Sequence, residues 1–129
     1  MPSFGTLKAD TLTHSTAGSL NTSVVFNGTA KAWSRVELVG TASIIGSYNV
    51  SSLTDIGTGI GRSNFSNVFN AADYAVTAGA GLSGDILAPD LGADSVQVTT
   101  SFYLTARANE STSAVDADIL TGIAIGDLA

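Results

Sequence analysis

Apolar and polar residues alternate with a period of two along three stretches of the chain. Over 96–106, Val96, Val98, Phe102, Leu104 and Ala106 share one parity, and Gln97, Thr99, Ser101, Tyr103 and Thr105 share the other. Over 115–125, Val115, Ala117, Ile119, Ile123 and Ile125 oppose Asp116, Asp118, Gly122 and Ala124. Over 42–50, Ala42, Ile44, Tyr48 and Val50 oppose Thr41, Ser43, Ser47 and Asn49. Successive side chains of a strand point to opposite faces, so each stretch predicts a strand with one wet face. One wet face favours antiparallel pairing, because parallel strands are usually buried on both sides.

Weaker strands are predicted over 7–13, 22–26, 30–39, 65–69 and 74–78. Turn chemistry separates them. Asn27-Gly28 is a type I′ hairpin signal between two apolar runs. Residues 55–61 carry three glycines at alternate positions, and 70–73 suit one turn of helix. Residues 79–92, rich in Gly, Asp and Pro, predict a long loop. No window carries helical periodicity. Short strands at regular spacing predict an all-β fold, an antiparallel β-sandwich or jelly-roll-like domain over 21–129. Residues 1–20 are rich in Ser, Thr and Gly, and are expected to form an extended N-terminal arm that orders against a partner.

Trp33 falls on the wrong parity of its own stretch. Ala30, Ala32, Val36 and Leu38 make the apolar side, whereas Trp33 shares the other with Lys31, Arg35 and Glu37. The plainer reading is a β-bulge that turns the indole inward. The sharper one is an interface anchor.

Composition narrows the function classes. The 129 residues fit one domain, with 44% hydrophobic and only 12% charged residues. The net charge of −6 repels a phosphate backbone and an anionic membrane surface, so neither nucleic acid nor membrane is an expected partner. Without cysteine there is no disulfide and no thiolate metal site. No basic-then-apolar leader opens the chain and no apolar run approaches ~18 residues, so neither a cleaved signal nor a spanning helix is expected.

Candidate chemistry is sparse. Residues 79–84 match the Gly-x-Gly-x-x-Gly dinucleotide fingerprint, but the motif needs a following helix, and Pro89, Asp85 and Asp90 oppose one. The Gly57–Gly59–Gly61 run is weaker still. His14, the only histidine, lies beside Ser15 in the arm, with no rigid scaffold for a triad. Asp85, Asp90 and Asp94 cluster near one loop, but their spacing does not make a calcium loop. Five N-glycosylation sequons, at Asn21, Asn27, Asn49, Asn64 and Asn109, are the chance products of an Asn/Ser/Thr-rich chain. No catalytic residue, cofactor or metal ion is therefore expected, and the chain reads as a structural or interaction protein and not an enzyme.

Three segments carry a resemblance: Thr29-Ala30-Lys31-Ala32-Trp33, then Ser47-Tyr48-Asn49-Val50-Ser51-Ser52-Leu53-Thr54-Asp55-Ile56-Gly57-Thr58-Gly59, then Ala72-Asp73-Tyr74-Ala75-Val76. In order and spacing they resemble a domain of tailed-bacteriophage virion proteins, often found at the end of a tail fibre or other surface protein. The opening 6–12 and the closing Gly126-Asp127-Leu128-Ala129 are similar too. The resemblance implies a β module on the virion exterior, commonly homotrimeric, in a fibre, spike or decoration. Residues 60–65 depart from the alternating strand of such relatives, which implies a remodelled hairpin. The partners implied are further copies of the chain and other virion proteins of capsid, neck or tail. A host-surface glycan is the alternative partner, and a depolymerase activity ranks last. Apolar residues expected at interfaces are Leu7 and Leu12 in the arm and Trp33, Val39, Ile45 and Leu120 on outer faces. Outward loop contacts are expected at Asp85, Asp90, Asp94 and Tyr103.

Overall fold

The computed structural model describes residues 9–16, 18–81, 87–90, 97–108 and 113–129. It is an antiparallel β-sandwich preceded by a small N-terminal unit. That unit is a hairpin of β1 (Thr11–His14) and β2 (Gly18–Asn21) followed by α1 (Thr22–Gly28). The sandwich strands are β3 (Ala30–Glu37), β4 (Ser43–Tyr48), β5 (Val50–Gly57), β6 (Ile60–Phe65), β7 (Ala75–Gly81), β8 (Leu87–Asp90), β9 (Ser101–Ala108) and β10 (Ile119–Ile125). One sheet has the order β4-β3-β10-β7 and the other β5-β6-β9-β8.

The core lies between the sheets. Val36, Leu38, Phe102, Leu104 and Leu120 fill its centre, with Ala32, Ala106, Ala117 and Ala124 where the layers approach closely. Gly122 is required at the closest approach: a Cβ there would stand 2.5 Å from the Phe102 ring and 2.9 Å from Leu104. At one end Phe65, Phe69 and Tyr74 close the sandwich, Phe69 stacking on Tyr74 at 4.3 Å and Phe65 lying 5.5 Å from Phe102. Backbone bonds tie this end to the C-terminus, Asn70 N–H to Asp127 O at 2.9 Å and Ala129 N–H to Val68 O at 3.0 Å.

A polar contact crosses the interior. The Ser34 and Ser63 hydroxyls, one from each sheet, share a hydrogen bond of 2.8 Å and are buried. Removing one partner orphans the other, whereas removing both does not. We expect Ser34→Ala to cost about 1–2 kcal/mol and the Ser34→Ala/Ser63→Ala double variant to cost less than either single change. Urea denaturation of the three variants checks this; a simply additive double variant would refute the pairing.

Several expectations are corrected. Residues 22–26, predicted as a strand, lie in α1, and Asn27-Gly28 ends that helix instead of turning a hairpin. The β-branched run does not favour a helix. Contacts at both ends hold it. Thr22 donates through its N–H to Asp10 O (2.9 Å) and through Oγ1 to Ala9 O (2.7 Å). At the other end the Phe26 carbonyl accepts from the Lys31 ammonium and from Thr29 Oγ1. A cation there also suits the negative end of the helix.

The predicted loop over 79–92 contains the end of β7 and all of β8. Residues 70–72 form bends and Asp73 has no regular structure, so 70–73 make no helical turn. Over 96–106 a turn at Thr99-Thr100 precedes β9, so the strand starts at Ser101. Of 65–69, Phe65 ends β6, and Phe69 makes only an isolated bridge to Leu128. Residues 60–65 are a strand with regularly alternating burial, and the register irregularities fall in its partner β5.

Candidate interaction face

The two outer faces of the sandwich differ. On the sheet β5-β6-β9-β8 the described outward side chains of β5, β6 and β9 are largely polar and bond one another. Asn64 Nδ2 donates to Ser52 Oγ and Thr54 Oγ1, both at 3.0 Å. Arg62 sits opposite Tyr103, its guanidinium 5.7 Å from the ring centroid and its Nη1 donating to the phenol oxygen at 3.3 Å. Arg62 Nε is buried without a hydrogen-bond partner.

The outward side of the sheet β4-β3-β10-β7 carries a cluster of exposed apolar residues. Register places Tyr48, Trp33, Ile123 and Thr77 in one row across all four strands. Gly46, Arg35, Thr121 and Gly79 make the next row. The indole of Trp33 lies across Gly46, where a Cβ would stand 3.5 Å from the ring. A groove of about 370 Å³ runs between the rows, lined by Trp33, Ser34, Arg35, Thr121, Gly122 and Ile123. Both hydroxyls of the lining are engaged within the protein, Thr121 Oγ1 donating to the Gly79 carbonyl at 3.2 Å and Ser34 Oγ bonded to Ser63. Trp33 is 40% exposed, Tyr48 60% and Ile123 41%, with Ile119 and Ile125 exposed on the same strand parity. Clustered apolar surface of this kind marks an interaction site more often than scattered single residues do.

Trp33 therefore points outward. The bulge near it falls at Lys31, where Ala32 pairs with Ala124 and Ala30 with Ile125, and it leaves the indole on the wet side. Ile45 is the extra residue of a second irregularity, between the Arg35–Gly46 and Val36–Ile44 pairs, and it is exposed. Val39 is exposed just beyond β3. Leu120 is corrected: it is fully buried in the core, because β10 turns Leu120, Gly122 and Ala124 inward and its isoleucines outward. The same inversion brings in Ile119, Ile123 and Ile125, which the sequence pattern had assigned to the interior. Tyr48, also assigned inward, stands outward beside Trp33.

Leu12 is exposed on the N-terminal hairpin. Tyr103 is half-buried in the middle of β9 and not in a loop. Asp90 lies in β8, its backbone paired with Thr105. Leu7, Asp85 and Asp94 lie outside the described residues. In the Gly-x-Gly-x-x-Gly run, Gly79 and Gly81 belong to β7 and not to a strand-to-helix turn. Among the described residues no three acidic or histidine side chains converge as a metal site. None of the helices is long and apolar enough to cross a membrane, among the same residues. The chain matches no protein family, no curated protein and no solved structure.

Proposed function

We propose that this chain is a bacteriophage virion structural protein, a self-associating β module displayed as a short surface fibre, spike or decoration, without catalytic activity. The observation that carries the reading is what the three resembling segments do in the fold. Asn49 takes a left-handed backbone (φ 56°) at the step from one sheet to the other. Its Oδ1 accepts from Asn67 N–H at 2.7 Å, and its Nδ2 donates to Asn67 O at 2.9 Å. Gly57 and Gly59 turn the β5–β6 hairpin, and Tyr74 closes the core. Of the aromatic residues in these segments, Trp33 and its neighbour Tyr48 face outward. The shared pattern thus specifies a scaffold with one apolar outer face, which suits a building block more than a reaction site.

Mass spectrometry of purified virions is the test. The chain is expected among the particle proteins, at a copy number that is a multiple of its oligomer. Its absence from intact particles would remove the reading. A host-glycan adhesin is the second reading, favoured by the exposed Trp33–Tyr48 pair, because sugar rings stack on aromatic faces. Adsorption of the pure protein to host cells, lost in Trp33→Ala, separates adhesion from display.

A further inference from the structure

The segment 22–28 is a helix that its own residues do not support. Thr22, Val24, Val25 and Phe26 favour extended backbone, and the β-branched ones lose rotamer freedom in a helix. Seven residues are far below the length at which a helix holds by itself. Asn21 stands at the N-cap without a side-chain cap, and Thr11 Oγ1 donates to its Oδ1 across the hairpin at 3.4 Å. The first turn holds no acidic residue and the last turn no basic one.

Support comes from β3. Lys31 is only 8% exposed, and lysine is rarely buried without partners. Its ammonium donates to the Phe26 carbonyl and, at 3.0 Å, to Thr29 Oγ1, and it lies 3.9 Å from the centre of the Phe26 ring. Thr29 Oγ1 in turn donates to the same carbonyl at 3.2 Å. The ammonium thus makes a charge-assisted bond at the negative end of the helix, with a cation–π contact beside it. Unwinding α1 would take both the carbonyl and the ring away from the ammonium, so the helix and the burial of Lys31 depend on each other.

We propose that Lys31 is a latch and that 22–28 is a two-state segment, helical while the ammonium holds Phe26 and extended when it does not. The two states differ in reach. Seven residues span about 10 Å as a helix and about 23 Å as a strand, so release lets the β1–β2 hairpin stand up to about 12 Å further from the sandwich. Neither flanking unit is lost in the change. The hairpin keeps its own ladder and the Thr13–Ser19 hydroxyl bond, and the sandwich core contains no residue of 22–28. The device is an arm of adjustable length, and it stands independently of the virion role proposed above.

Hydrogen exchange and a distance measurement on the full chain test the latch. Lys31→Met keeps the buried stem and removes the ammonium. Amides 26–28, which bond back one turn in an α-helix, are expected to exchange at least about tenfold faster in this variant, as loss of a charge-assisted bond implies, while those of β9 and β10 are unchanged. Val24→Ala/Val25→Ala, at two exposed positions, raises helix propensity and is expected to slow the same amides. The chain has no cysteine, so Leu20→Cys/Thr41→Cys, at two exposed positions, takes a pair of spin labels across the joint. The latched chain is expected to give one short distance, and the chain with Lys31→Met a second population up to about 12 Å longer. Should Lys31→Met loosen the sandwich as well, Thr29→Val, at an exposed site, weakens the latch without touching Lys31, with a smaller rise at the same amides expected. Unprotected amides 26–28 in the wild type, or equal rates with and without the ammonium, overturn the latch. Faster exchange with an unchanged distance overturns the extended state and with it the change in reach.

Discussion

Gly59→Ala is expected to destabilise the sandwich by about 2–4 kcal/mol, combining the strain of a left-handed backbone with overpacking. Gly59 has φ +70°, and it sits in the β5–β6 turn. A Cβ there would meet Val115 N and O at 2.6 Å and Ala106 O at 2.7 Å. All three are backbone atoms, so no side-chain rotation relieves the contact. The turn is also a hub. Gly59 O accepts from Ala106 N–H at 2.8 Å, Gly59 N–H donates to Asp116 Oδ1 at 2.7 Å, and Val115 N–H donates to Ala106 O at 3.0 Å. Displacing the turn loosens the hairpin, β9 and the approach to β10 together. Gly28→Ala is the control: its Cβ meets nothing within 4 Å and its φ is not positive, so a change within about 1 kcal/mol of wild type is expected. Thermal and urea unfolding of both variants decide the point; equal midpoints for the two would show that the turn tolerates a side chain.

The sandwich was legible in the chain because alternation survives wherever a strand runs unbroken. In β9, Phe102, Leu104 and Ala106 are buried as their parity predicts, and so are Ala32 and Val36 in β3 and Leu38 just beyond it. The interaction face was hidden because it depends on where the parity breaks. One extra residue at Ile45 in β4 puts Ala42 and Ile44 on one side and Tyr48 on the other. Between Ala117 and Leu120 the parity changes again, which sends three isoleucines outward and leaves a glycine and an alanine facing the core. A slip of one residue flips every later side chain, and no local feature of the sequence marks these two slips. Trp33 was the signal that marked the face, since its off-parity position is real. Its reading as an interface anchor agrees with its exposure, whereas the bulge at Lys31 does not turn it inward. The helix α1 escaped for another reason. Its own residues prefer a strand, and the Ala9, Asp10 and Lys31 contacts that hold it come from either side of the segment.

Tyr74 is expected to make the protein lose stability at alkaline pH. Its ring is buried, stacked on Phe69 and set edge-on to Phe65 at 5.7 Å. The hydroxyl donates to Ser101 O at 2.6 Å, with Val98 O at 3.0 Å, and so clamps both ends of the turn that leads into β9. Burial pushes its pKa up to about 12, from an ordinary value near 10.0. The two carbonyls act in the same direction, since they can accept from the phenol but not stabilise a phenolate. With the folded value above the unfolded one, the contribution is complete below pH 10 and is lost as pH rises towards 12. Across that window the loss is roughly 2–3 kcal/mol, at about 1.4 kcal/mol for each pKa unit. Tyr74→Phe keeps the ring packing and gives up one hydrogen bond, at a cost of about 1 kcal/mol at pH 8. The variant has no proton to lose at this site. Its stability should fall less steeply with pH, and the two curves should meet near pH 11. Urea midpoints taken from pH 8 to pH 11 measure this directly. Parallel curves for wild type and variant would mean that the phenol is open to water when folded, and that the aromatic end of the sandwich is not closed.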